Sequence, residues 1–189
     1  MFRAGLQERI WLMEPELVQK SATCLCLTEK GEGQADLKVH LNSECILIRN
    51  LEKNKLEYFR NKKCADYVMF ERANDTWKVH IFEMKRTVKE ETWEKEIKQQ
   101  FCGAMQNVLA FSGVLGIEIE DIVLHTVYRN DKINDMANSI RQHLGVYDKN
   151  KSKTDWNDGE ISLGFLDRQK FRHDKIKLNI ETGEGKYYL

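Results

Sequence analysis

The chain has 189 residues and a mass of 22.3 kDa, enough for one ordinary domain with appendages. With 41% hydrophobic and 32% charged residues it is too apolar for a disordered chain. Its 30 basic side chains are matched by 30 acidic ones, which excludes a polybasic carrier of nucleic acid and leaves room only for a local basic surface.

Leu6, Ile10, Met13 and Leu17 recur at helical spacing, predicting a helix, or two meeting at Pro15, over the first 20 residues. This stretch lacks the apolar core of a secretory signal, and no apolar run approaches the roughly 18 residues of a membrane span. The five cysteines, at 24, 26, 45, 64 and 102, are odd in number and lie in apolar stretches, as reduced thiols do. The expectation is a cytoplasmic protein with no membrane association. Cys24 and Cys26 are too close for a usual zinc pair and have no second pair at finger spacing.

From Ser21 the period changes to alternation. Ser21–Thr28, Leu37–Leu41 and Cys45–Ile48 read as a small antiparallel meander. Cys64–Phe70 and Trp77–Lys85 are β-rich runs separated by Ala73, Asn74 and Asp75, which have the chemistry of a turn, so they predict a hairpin. Thr87 and Glu90 have the spacing of a capping box. Trp93, Ile97, Phe101, Ala104, Val108, Phe111 and Leu115 then follow at three- and four-residue steps, predicting a long amphipathic helix that stops near Gly116. Asp121–Tyr128 reads as a buried strand, and Ile133–Leu144 as a second helix ending at Gly145. Residues 148–160 read as a polar surface loop, followed by short strands at Ile161–Leu166 and Lys175–Ile180. The predicted class is α/β with a mixed central sheet flanked by helices. One domain is expected, its core at about 45–145 and a C-terminal β tail at about 146–189.

Three Glu-x-Lys triplets occur. Glu96–Lys98 lies within the predicted helix and Glu184–Lys186 in a glycine-rich tail, so both read as solvated charge. Glu83-Met84-Lys85 instead ends an apolar strand, where residues two apart project to one side. If the hairpin turns around Asp75, paired positions sum to about 150, which sets Asp66 opposite Met84 and within one residue of both Glu83 and Lys85. Two carboxylates so placed repel unless a cation lies between them. Hard oxygen ligands with few protein contacts suit Mg²⁺ or Mn²⁺, and Lys85 is placed to orient a water.

Asp66, a strand hairpin, Glu83-Met84-Lys85, a long helix and a further strand resemble the PD-(D/E)xK phosphodiesterase superfamily, the restriction-endonuclease-like nucleases. The resemblance covers roughly residues 45–128. It departs at Ala65, where the family often has proline. It implies a core of helix, antiparallel strands, long helix, strand and helix, and a metal-dependent nuclease acting on DNA or RNA. It further implies that Asp66 and Glu83 ligate Mg²⁺ (or Mn²⁺), that the Met84 carbonyl adds a ligand, and that Lys85 positions or polarises the attacking water. Some branches place a glutamine on the following helix, a part open to Gln99 or Gln106.

Over residues 49–63 six basic side chains face only Glu52 and Glu57, and Arg60, Lys62 and Lys63 are the candidate phosphate contacts. His80 and His125 read as structural, as do Trp77 and Trp93 at core positions, while Trp11 and Trp156 have rings able to stack on bases. Against the nuclease stands an inactive module of the same fold that binds nucleic acid or protein as a subunit, and a homodimer is compatible with either. A plain cross-strand ion pair of Glu83 and Lys85 is the third reading.

Overall fold

A computed structural model of the chain describes residues 15–31, 34–49, 53, 60–133, 151–164 and 169–189. In chain order the described strands are β1 (Val18–Ser21), β2 (Cys24–Glu29), β3 (Ala35–His40), β4 (Cys45–Arg49), β5 (Tyr67–Ala73) and β6 (Thr76–Val88). A helix, α1, follows as Glu90–Thr92, widens to a π-helical turn at Trp93–Ile97 and continues as Lys98–Leu115. Then come β7 (Ile119–Asp131), α2 (Lys151–Asp158), β8 (Glu160–Ser162), β9 (Lys170–Lys177) and β10 (Glu184–Tyr188). Seven strands form a mixed sheet in the order β1-β4-β5-β6-β7-β9-β8, and β10-β3-β2 form a second, smaller one. The class is therefore mixed α/β with a largely sheet core and one long helix.

β6 is buried without a break from Val79 to Met84 because both of its faces are covered. Val79 and Ile81 feed the cluster packed under α1, with Trp93, Phe101 and Val108, whereas Phe82 and Met84 feed a second cluster with Leu25, Leu37 and Val39 of the small sheet. The hairpin from β5 to β6 turns at Asn74-Asp75, where Asn74 takes the left-handed conformation (φ 55°) that Asn tolerates better than most residues. β6 then runs parallel to β7, and a parallel neighbour requires a long crossover, which α1 provides. Gly116, left-handed at φ 61°, ends the helix with its N–H donating to the Ser112 carbonyl.

The hairpin, the periodic core face of α1 and its stop at Gly116 match the sequence reading, and so do the buried His80, His125, Trp77 and Trp93. Other elements differ. Pro15–Leu17 is a short 3₁₀ turn followed by β1, not helix, and residues 1–14 lie outside the described residues. The expected meander is split, because β2 and β3 pair in the small sheet while β4 joins β1 and β5 in the large one. Thr87 belongs to β6 and Lys89 occupies the N-cap without a side-chain hydrogen bond, so there is no capping box.

Residues 151–158 are helix rather than loop. Trp156 is fully buried against Trp93, with its indole N–H donating to Asp131, and so offers no ring to a base. β9 starts at Lys170, five residues earlier than expected, and extends the large sheet parallel to β7. β10 was not foreseen at all. It adds to β3 in parallel, so the chain's last residues complete the small sheet. The helix expected over 133–144 falls almost wholly outside the described residues. Among the described residues no helix is long and apolar enough to cross a membrane, and the cysteines are free thiols.

A polar chain crosses the large sheet on the face of the small one. Glu71 Oε2 lies 3.1 Å from His80 Nε2, His80 Nδ1 lies 2.9 Å from His125 Nε2, and the Tyr187 hydroxyl donates to Asp174 at 2.8 Å. On the other face His173 Nε2 meets the Thr126 hydroxyl at 2.8 Å beneath Trp93 and Trp156. Burial pushes the His173 pKa down to about 3, with Lys175 adding to the effect, and burial holds His125 well below the usual imidazole value. Both rings are thus held neutral in the folded state but protonate near pH 6.5 when unfolded. The stability they carry is present above pH 6.5 and declines on acidification toward the folded-state values. Unfolding free energy should fall by about 1 kcal/mol per pH unit for each of them below pH 6.5, and urea titrations of His173→Gln should show a correspondingly shallower decline.

One close approach fixes α1 against the segment leading to β5. A Cβ at Gly103 would overlap the backbone carbonyl of Lys63, and Asn61 donates its side-chain amide to the Gln99 carbonyl at 2.7 Å. Gly103→Ala should therefore cost about 2–3 kcal/mol by overpacking, readable as a lowered urea midpoint, whereas Gly113→Ala, with nothing near its Cβ, should not destabilise.

Candidate active site

β5 stops one residue short of Asp66. Tyr67 pairs with Phe82, so paired positions sum to 149 rather than 150, and Asp66 sits in a bend beside Glu83 and Met84. There its carboxylate replaces the missing ladder partner: Oδ2 accepts the Met84 backbone N–H at 2.7 Å. The next two groups follow from β6. Glu83 is fully buried, and Lys85 Nζ contacts Glu83 Oε1 at 2.9 Å, with Glu96 Oε2 of the π-helical turn at 4.0 Å. The three residues singled out in the sequence are thus brought to one end of the central hairpin.

Burial pulls the Lys85 pKa down, but the Glu83 charge and hydrogen bond, aided by Asp66 and Glu96, outweigh it and raise it above the ordinary lysine value. Lys85 is therefore an ammonium throughout the neutral range. It can donate hydrogen bonds and stabilise negative charge; it has no lone pair with which to take a proton.

Asp66, Met84 and Lys85 lie on the wall of an open cavity of about 610 Å³. It is bounded on one side by α1, through Thr92, Glu96 and Gln100, and on the other by the β2–β3 connection, through Glu29 and Gly31. Glu83 does not line it; its carboxylate contacts Lys85, which does. Among the described residues no three His, Cys, Asp or Glu side chains converge on one metal position. The oxygen donors here, two carboxylates and the Met84 carbonyl, have the hard chemistry that Mg²⁺ or Mn²⁺ accepts when water and substrate fill the remaining positions.

The helix glutamines need correction. Gln99 is exposed, and neither it nor the half-buried Gln106 lines the cavity; Gln100 does. The seven-residue spacing does put Gln99 and Gln106 on one face of the regular Lys98–Leu115 helix, but it does not say which face meets the cavity. Arg60, Lys62 and Lys63 are exposed and do not line the cavity, and Lys63 Nζ donates to the Lys95 carbonyl at 2.5 Å. The cations that do line it beside Lys85 are Arg86, Lys89, Arg129 and Lys132, none of them foreseen. The available signal was the parallel pairing of β6 and β7, which opens the C-terminal ends of both strands to the same side.

No protein-family model, no curated protein and no solved structure matches this chain.

The Glu83–Lys85 pair has a direct energetic test. Removing the ammonium leaves a carboxylate in a fully buried position, so Lys85→Ala should destabilise by about 3 kcal/mol in the absence of metal. Lys85→Ala combined with Glu83→Gln should recover much of that loss, as urea unfolding would show.

Proposed function

We propose that the chain is a Mg²⁺- or Mn²⁺-dependent phosphodiesterase that hydrolyses DNA or RNA, with Asp66, Glu83 and Lys85 as its working residues. The reading rests on one observation: Asp66 and Glu83-Met84-Lys85 share one end of a hairpin, with Asp66, Met84 and Lys85 on the wall of an open cleft. In support, the antiparallel β4, β5 and β6, then α1, then a strand parallel to β6, follow the order that the resemblance to the PD-(D/E)xK nucleases implies. Asp66, Glu83 and the Met84 carbonyl would hold the metal, which supplies an activated water and charge neutralisation on the phosphate when bound.

The residues' own parts follow from their states. Lys85, charged at neutral pH, donates to the attacking water or to a phosphate oxygen as charge builds there. Asp66 keeps Met84 in place through the backbone bond while presenting its carboxylate to the cleft. Glu83 is engaged by Lys85, so a metal and the Lys85 ammonium compete for it.

That contact also favours a second reading, an inactive subunit of the same fold in which Glu83 and Lys85 are a permanent structural pair. Metal titration separates the two. If the site is catalytic, Mn²⁺ should bind Lys85→Gln at least as tightly as wild type, because the competing ammonium is gone, while cleavage of a plasmid or a labelled RNA falls by at least about 100-fold. Absence of calorimetric heat in wild type and variant alike, with no cleavage by either, would establish the structural pair.

A further inference from the structure

We infer that the C-terminal ends of β6 and β7 form a phosphate-binding rim, Arg86, Lys89 and Lys132 with Arg129 behind them, that holds a nucleic-acid backbone by charge and without regard to sequence. This rests on the phosphodiesterase reading and moves the phosphate contacts away from Arg60, Lys62 and Lys63.

The placement comes from strand register. Lys85 pairs with Tyr128 and Thr87 with Asn130, which sets Arg86 level with Arg129 on the adjacent parallel strand. One step further, the Lys132 N–H donates to the Val88 carbonyl at 2.8 Å and brings Lys132 beside Lys89. Like charges abreast on neighbouring strands destabilise a sheet, so packing gives no reason for two such pairs in succession. All four residues line the cavity whose wall carries Asp66 and Lys85.

Among the described residues that line the cavity, Lys85 and these four cations face three acids, Glu29, Asp66 and Glu96. Asp66 accepts from Met84, and Glu96 is directed to Lys85. Asp131, between the two pairs, is turned toward α2, where it accepts from the Trp156 indole at 3.0 Å and from the Ile133 N–H at 2.9 Å. No aromatic ring is among the described residues that line the cavity. Phosphate contacts carry no sequence information.

Arg86, Lys89 and Lys132 are exposed, whereas Arg129 is half-buried and packs at Gly183, so the test leaves Arg129 in place. The full chain and the variant Arg86→Gln, Lys89→Gln, Lys132→Gln are titrated in EDTA with two labelled 20-base-pair duplexes of unrelated sequence, over a series of salt concentrations. The variant should lose affinity equally for both duplexes, and the slope of log K against log salt should become shallower by about two to three units, one for each lost contact. The charge-keeping variant Lys89→Arg, Lys132→Arg should retain the wild-type slope.

An unchanged slope in the neutral variant overturns the proposal, as does a loss confined to one duplex. The same holds if Arg60→Gln, Lys62→Gln, Lys63→Gln reproduces the loss and the rim variant does not. Because EDTA removes metal, binding is read independently of hydrolysis. A wild type that binds through the rim yet cleaves nothing in Mn²⁺ refutes the hydrolytic reading and leaves the rim assignment supported.

Discussion

β6 and β7 run parallel from Trp77 and Ile119 to Val88 and Asp131, and that pairing dictates where almost everything else goes. A parallel neighbour cannot be reached by a tight turn, so the chain must cross one face of the sheet, and α1 is that crossing. Its apolar stripe covers the sheet, and its first turns stand over the strand ends. The cleft is the space left between those turns, the strand ends and the small sheet. Gly103 sets the depth of the arrangement, since only a residue without a Cβ lets α1 lie against the Lys63 carbonyl and so holds the approach to Asp66 in place.

Electrostatically, the site is a balance of buried charge. Glu83 is tolerated without solvent because Lys85 lies at hydrogen-bond distance, and the ammonium is itself held charged by three carboxylates. Such a pair resists one-sided change. On the proposed hydrolytic reading, a metal that displaces Lys85 from Glu83 would free the ammonium at the cavity wall, and the one carboxylate would couple the two events.

Much of this was legible in the sequence where the signal was local. The hairpin showed in its alternation and in Asn74-Asp75, α1 in seven apolar positions at helical steps, and the gathering of Asp66, Glu83 and Lys85 in strand parity together with approximate register. What escaped was non-local. Strand alternation alone does not say which sheet a strand joins, so β4 was grouped with β2 and β3. The polar 151–158 segment hides one buried anchor, Trp156, among hydrophilic residues. β10 is short and glycine-bearing, and forms because β3 offers it an edge. Seven-residue spacing likewise puts Gln99 and Gln106 on one face without saying which face meets the cleft, where Gln100 stands.

The wide turn at Trp93–Ile97 sets which side chains the start of α1 presents. A π-helical turn accommodates one residue more than an α-helical turn. Deleting one residue there would restore regular winding and swing the preceding segment by about 100° relative to the buried stripe. Phe101, Ala104 and Val108 lie beyond the turn and would stay in place, but Trp93 and Ile97, buried within it, would be displaced from the core. The side chains around the mouth of the cleft would be dealt out afresh. A one-codon change at this point therefore acts on the groups facing the cleft and on the packing together, because Glu96 of the cleft wall and the core anchors Trp93 and Ile97 share the same turn.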